Sequence, residues 1–110
     1  MKNAPVRAGT LTERLTIERA TSIVGDYGNT ASMWEALFDI RAELIEHWQD
    51  EAPIEAGSRV TMHASFCIRY VPGLRPGDRV IWGGEPFNIV KLTTLGRRQA
   101  LQIDCQRVQP

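Results

Sequence analysis

Apolar and polar positions alternate with a period of two along most of this chain, and that alternation predicts strands. The longest run covers residues 31–46. Trp34, Ala36, Phe38, Ile40, Ala42 and Leu44 hold even positions, with Glu35, Asp39, Arg41 and Glu43 between them. Ala, Glu, Leu and Arg also favour helices, but this uninterrupted series of even apolar positions fits 180° per residue far better than 100°. The run therefore predicts a long, one-sided second strand. Its odd face also carries Met33, Leu37 and Ile45, apolar groups of the kind that a contact between subunits needs.

The same reading extends to both sides. Leu11, Leu15 and Ile17 alternate with Thr and charged residues and predict a first strand over residues 11–19. Residues 21–30 contain Gly25-Asp26-Tyr27-Gly28-Asn29 and predict a loop. Val60, Met62, Ala64, Phe66, Ile68 and Tyr70 give strand three. Between strands two and three, residues 46–59 (EHWQDEAPIEAGSR) are irregular and acidic, and they predict a long loop with room for one helical turn. Pro53 opposes a helix through it and Gly57-Ser58 ends it. Pro76-Gly77-Asp78 turns the chain into residues 79–82. Gly83-Gly84 then suits a primed hairpin turn, which returns the chain as residues 87–90. Residues 93–99 (TTLGRRQ) predict a basic hairpin loop, and Leu101, Ile103 and Cys105 mark the last strand. Six strands, mostly in hairpin order, predict an all-β fold: a small antiparallel barrel with a long loop between strands two and three. Residues 1–9 predict an extended arm.

A length of 110 residues suits a single domain spanning residues 1–110. Thirteen basic residues balance thirteen acidic ones, which argues against a domain devoted to nucleic-acid phosphate. The N-terminus has no apolar run behind it, so no signal peptide is expected, and no uncharged apolar stretch is long enough to predict a membrane span. The two cysteines, Cys67 and Cys105, fall inside predicted strands and read as plain thiols of a reducing compartment. His63 and Cys67 lie about 13 Å apart along one strand, too far for a shared metal or a nucleophile–base pair. The glycines lack the Gly-Lys-Ser/Thr of a phosphate loop. No catalytic, cofactor or metal residue is expected. Trp34 and Trp82 read as packing aromatics, whereas Trp48, in the acidic stretch, reads as a contact residue. Lys91, Arg97 and Arg98 form a modest basic cluster at a loop.

The order of these motifs resembles the head-tail joining proteins, also called head-closure or stopper proteins, of tailed phages and phage-like gene-transfer particles. The resemblance runs over nearly the whole chain. It starts with Arg7-Ala8-Gly9-Thr10-Leu11 before Arg14-Leu15-Thr16-Ile17, and continues through Asp26-Tyr27-Gly28, Trp34 and His63 to Ile68-Arg69-Tyr70. It then takes in residues 72–80 (PGLRPGDRV), Trp82-Gly83-Gly84, Phe87-Asn88-Ile89 and Arg97-Arg98. No single piece is specific, but the ordered set is.

The resemblance implies a β-barrel subunit that forms a ring, by analogy dodecameric, between the portal and adaptor above and a tail terminator or tail-completion protein below. Such a ring closes the DNA channel of a filled capsid in the virion neck, after synthesis in a host bacterial cytoplasm. By the same resemblance the stretch between strands two and three faces the channel, with Glu46, Trp48, Asp50, Glu51 and Glu55 as its candidate residues. DNA would pass without sequence-specific binding. Arg7, Asp26, Tyr27, Met33, Leu37, Ile45, Arg97 and Arg98 are the candidates for contacts between subunits or rings. Two alternatives stand beside this one: an OB-like barrel holding single-stranded nucleic acid through aromatics and Lys91, Arg97 and Arg98, and a neighbouring tail-terminator ring.

Overall fold

The computed structural model describes residues 8–28 and 30–109. One 3-10 turn, Ala8–Thr10, leads into six strands: β1 (Glu13–Val24), β2 (Thr30–Ile54), β3 (Gly57–Arg69), β4 (Arg79–Trp82), β5 (Glu85–Leu95) and β6 (Ala100–Gln109). All neighbours are antiparallel, in the order β1-β2-β3-β6-β5-β4, and the ladder closes on itself where β4 pairs with β1 at Ile17↔Val80. The inner face packs Leu15, Ile17, Phe66, Ile68, Val80, Phe87, Ile89 and Ile103 into one apolar core. Trp82 stands edge-on to Phe66 at 5.1 Å and donates its indole N–H to Glu13 Oε1 at 2.9 Å. The Gly83-Gly84 turn forms as expected. Both glycines have positive φ, 61° and 80°, and Trp82 pairs with Glu85 across them.

The stretch expected as a long loop over residues 46–59 is instead a regular hairpin. β2 continues to Ile54, which pairs with Gly57 across a two-residue turn, and Pro53 sits within the ladder opposite Ser58. Ladder bonds alternate, so the pair next to the Ile54↔Gly57 closing pair is a non-bonded one, and the missing N–H of Pro53 points to the open edge of β2. Residues 21–24, expected in a loop, also belong to a strand, since β1 stays paired with β2 as far as Val24↔Thr30. Likewise β5 runs on to Leu95, which shortens the basic loop to residues 96–99. Of the expected N-terminal arm, Ala8 and Gly9 lie in the 3-10 turn, and residues 1–7 are outside the described residues.

Three bulges revise the reading of faces. The pairing skips Leu37 and Ile45 on β2 and Val90 on β5, and each extra residue reverses the in-out alternation beyond it. Phe38, Ile40, Ala42 and Leu44 therefore face the core, while Trp34 and Ala36 lie on the opposite face. Trp34 is 36% exposed and lies under the Arg79 guanidinium, 4.1 Å from its ring centre, rather than in the core. A straight strand of 25 residues would span about 80 Å. The longest dimension of the molecule is 56 Å, so β2 is strongly bent. It also takes part in two ribbons: residues 19–24 with 30–35, which reach beyond the closed ladder, and residues 46–54 with 57–65, in which residues 60–65 stay paired with β6 and only residues 57–59 outrun it.

Candidate functional site

The second ribbon collects all five residues predicted to line a channel. Glu46, Trp48 and Asp50 lie at alternate positions on one face, Glu51 lies on the other, and Glu55 occupies the two-residue turn. All five are exposed. Trp48 stacks on His63 of β3, with ring centres 4.0 Å apart and planes 12° from parallel. His63 Nε2 lies 3.3 Å from Asp50 Oδ2, close enough for an ion pair once the imidazole is protonated. The direction is wrong for a hydrogen bond, so this buried nitrogen has no hydrogen-bond partner among the described residues.

At the base of this ribbon the outer face of the sheet is concave. A depression of about 300 Å³ is lined by Glu46, Trp48, His63, Ser65, Val90 and Asp104, among others. Register puts Glu46, Ser65, Asp104 and Lys91 in one row across β2, β3, β6 and β5. The Ile45 and Val90 bulges flank the two ends of that row, and they bend the strands around it. Ser65 donates to Asp104 Oδ1 at 2.6 Å and Gln102 Nε2 donates to the same oxygen at 3.2 Å.

The residues predicted for subunit contacts are not brought together. Asp26 and Tyr27 sit at the turn of the first ribbon, where Tyr27 is 98% exposed. Met33 lies along that ribbon, and Leu37 and Ile45 are the two β2 bulges, so the three do not share a continuous face. Arg97 and Arg98 occupy the β5–β6 turn at the end of the molecule away from the second ribbon. Arg7 lies outside the described residues.

The sequence reading treated Asp78 only as a turn residue, yet it anchors the connection between β3 and β4. Its side chain is 2% exposed, and Arg19 grips both carboxylate oxygens, Nε to Oδ1 at 2.8 Å and Nη2 to Oδ2 at 2.9 Å. Arg75 N–H adds a bond to Oδ2 at 2.9 Å, and Arg19 Nη2 also reaches Gly73 O at 2.6 Å. Burial alone would push the Asp78 carboxyl up. The bonds from Arg19 and Arg75 and the charges of both arginines outweigh it and hold the carboxyl below the ordinary Asp range. Asp78, in turn, keeps the Arg19 guanidinium protonated above its usual value. A signal was available in the sequence: an Asp between Pro-Gly and a β-branched strand start, with an unmatched Arg at the end of strand one. Nothing in the sequence fixed the pairing across 59 positions.

Among the described residues, no group of three or more His, Cys, Asp or Glu side chains converges as a metal site would require. Burial, with help from the Asp104 charge, pushes the Cys105 thiol up to about 12, and it donates to Ala64 O at 3.3 Å. Burial, followed by the charge of Glu43, raises Cys67 as well. Both thiols are therefore poor nucleophiles at neutral pH.

With this geometry in place, the sequence profile of phage head completion proteins matches residues 6–108. The chain belongs to the phage head completion protein family. Membership makes it a structural protein of the virion, at the head-tail region. Three solved structures share the fold of this head completion protein. A chain in the virion of the native gene transfer agent particle has a TM-score of 0.73 and 20% identity, covering 90% of this chain and 96% of that one. Protein SF1141 of Shigella flexneri 2a gives 0.67 and 18%, with 93% and 96% covered. Protein xkdH of the Bacillus subtilis phage-like element PBSX gives 0.55 and 16%, with 86% and 92% covered. Among curated proteins none matches.

Proposed function

We propose that this head completion protein assembles with copies of itself into a ring, by resemblance dodecameric, that closes the DNA channel of a filled capsid. In that reading the closed six-strand ladder serves as a rigid barrel, residues 1–110 act as one domain, and the ring offers the tail its attachment surface. The portal and adaptor lie above it, and a tail terminator or tail-completion protein lies below.

The observation that carries the reading is the ribbon of residues 46–54 and 57–65. It projects from a packed body, its tip (residues 52–54 and 57–59) pairs with no third strand among the described residues, and its side chains through residue 59 are exposed. Glu46, Asp50, Glu51 and Glu55 stand there against Arg59. A carboxylate about 4 Å from a phosphate is repelled by roughly 1 kcal/mol in water, and salt confines that repulsion to about 8–10 Å. An acidic ribbon is thus suited to standing in the path of DNA without adhering to it.

The test is to add the purified protein to isolated DNA-filled heads that lack it, and to measure binding and nuclease-sensitive DNA release. Binding with retention of DNA is expected. Heads that bind none of the protein, combined with salt-sensitive binding of oligonucleotides by the protein alone, would replace this reading with the nucleic-acid module.

A further inference from the structure

Two surfaces at different places on the molecule are complementary in charge. The first is the concave row at the base of the second ribbon. Its acidic groups are Glu46 and Asp104, with Glu43 one row away and Asp50 beside His63. Lys91, across the register from Asp104, is its one cation at the rim, and it pairs with none of the described residues. Both hydrogen bonds to Asp104 fall on Oδ1, so Oδ2 carries no bond from a described residue, and neither does Glu46. His63 covers one face of Trp48, yet Trp48 keeps 46% of its surface exposed. The recess thus offers carboxylate oxygens beside an aromatic face, a setting that suits a guanidinium: a fork of N–H donors toward the carboxylates and a flat cation against the ring.

The second surface supplies that group. Arg97 and Arg98 are exposed and make no ion pair with any described residue. Arg98 holds φ at 57°, the left-handed region that a residue with a side chain adopts only under strain. It is the only such non-glycine residue among those described. Gly96, two residues earlier, also has positive φ, 63°, which glycine adopts without a Cβ clash. A strained turn that presents two unpaired arginines is a feature calling for a partner.

One copy does not satisfy itself. Ala100, just after the turn, pairs with Arg69 at one end of β3, whereas Ser65 lies four residues along β3, about 13 Å away, with the turn leading off in the opposite direction. We propose that the Arg97-Arg98 turn of one copy docks into the Glu46–Trp48–Asp104 recess of a second copy. The two surfaces differ, so the contact is head-to-tail, and it repeats from copy to copy until rotation closes a ring. This rests on the ring of the proposed function and assigns the base of the acidic ribbon to the subunit contact, which leaves Glu51 and Glu55 for the channel.

The test follows the three tryptophan indole resonances of the full-length protein, with Trp48 assigned by Trp48→Phe, from micromolar to millimolar concentration in low salt, alongside sedimentation velocity. In the wild type the Trp48 indole is expected to shift with concentration as larger species form, and added salt is expected to reverse both. The double variant Arg97→Glu, Arg98→Glu should weaken association about tenfold or more, and adding Glu46→Arg to it should restore part of the loss. A Trp48 resonance indifferent to concentration, or a double variant that associates like the wild type, would overturn the contact. Head filling then separates the two claims. If the double variant closes heads normally, the interface falls and the connector reading stands. Association through Trp48 by a protein that never retains DNA in heads would do the reverse.

Discussion

Asp78 is a buried carboxylate held by one guanidinium and one backbone N–H, and its loss should be felt at once. Asp78→Ala is expected to cost about 3 kcal/mol, in the range for breaking a buried pair from one side, read as a lower urea midpoint with an unchanged slope. Its carboxyl is held below the unfolded value of about 3.9. The stabilisation is therefore complete above that value and disappears as the pH falls through the lower folded one. The stability gap between wild type and Asp78→Asn should accordingly narrow below about pH 4, as measured by denaturation across pH. Cys105 has the opposite sign. Its pKa of about 12 exceeds the unfolded value, so the neutral thiol favours the folded state and this contribution fades as pH rises beyond about 8.5. At pH 8 Cys105 should resist alkylation in the native protein and react quickly in urea, as followed by mass spectrometry. Both cysteines were legible as plain strand thiols, because each sits in an alternating run, but the burial of Cys67, which alternation puts on the face opposite Phe66 and Ile68, was not. The role of Asp78 was not, because turn chemistry accounts for Pro-Gly-Asp without any need for a distant arginine.

At the scale of elements, the period of two identified β1, β2, β3 and β6, the turns located β4 and β5, and the Gly-Gly turn was read correctly down to its positive φ values. The strand ends were another matter. Residues 46–54 and 57–59 form a ribbon whose two faces are both largely wet, so they carry no apolar alternation to read, and Pro53 and Gly57 look like loop residues. The bulges were equally hidden. The extra residue at Leu37 leaves the alternation of β2 intact on paper while it turns Trp34 and Ala36 away from the core, and the one at Ile45 does the same to Glu46 and Trp48. The exposure of residues 53–58 makes a clear prediction: joining Ala52 to Arg59, a hydrogen-bonded pair like Ile54↔Gly57, through Asn-Gly should change stability by no more than about 1 kcal/mol, by chemical denaturation. In filled heads the same variant is expected to join normally but leak DNA, and tight retention would remove the gate from the ribbon.

At the scale of the whole molecule, the radius of gyration is 16.2 Å, against about 13 Å for a compact chain of this length. The excess comes from the two ribbons that leave the closed ladder. Small-angle scattering of the monomer should give the larger radius, and the Ala52-to-Arg59 variant should reduce it. The number of strands and their antiparallel order could be read from the chain, but not the elongation, since nothing in a sequence of alternating residues says how far a pair of strands outruns its neighbours. β2 belongs to both ribbons, and its 25 residues run unbroken from beside the Tyr27 turn to beside the Glu55 turn. Mechanically it is a covalent tie. A pull between whatever grips one tip and whatever grips the other would travel along peptide bonds, without first testing the strength of any packed surface. The bends at Leu37 and Ile45 would straighten first under such a load, giving the molecule a small built-in stretch before its ladder is asked to shear.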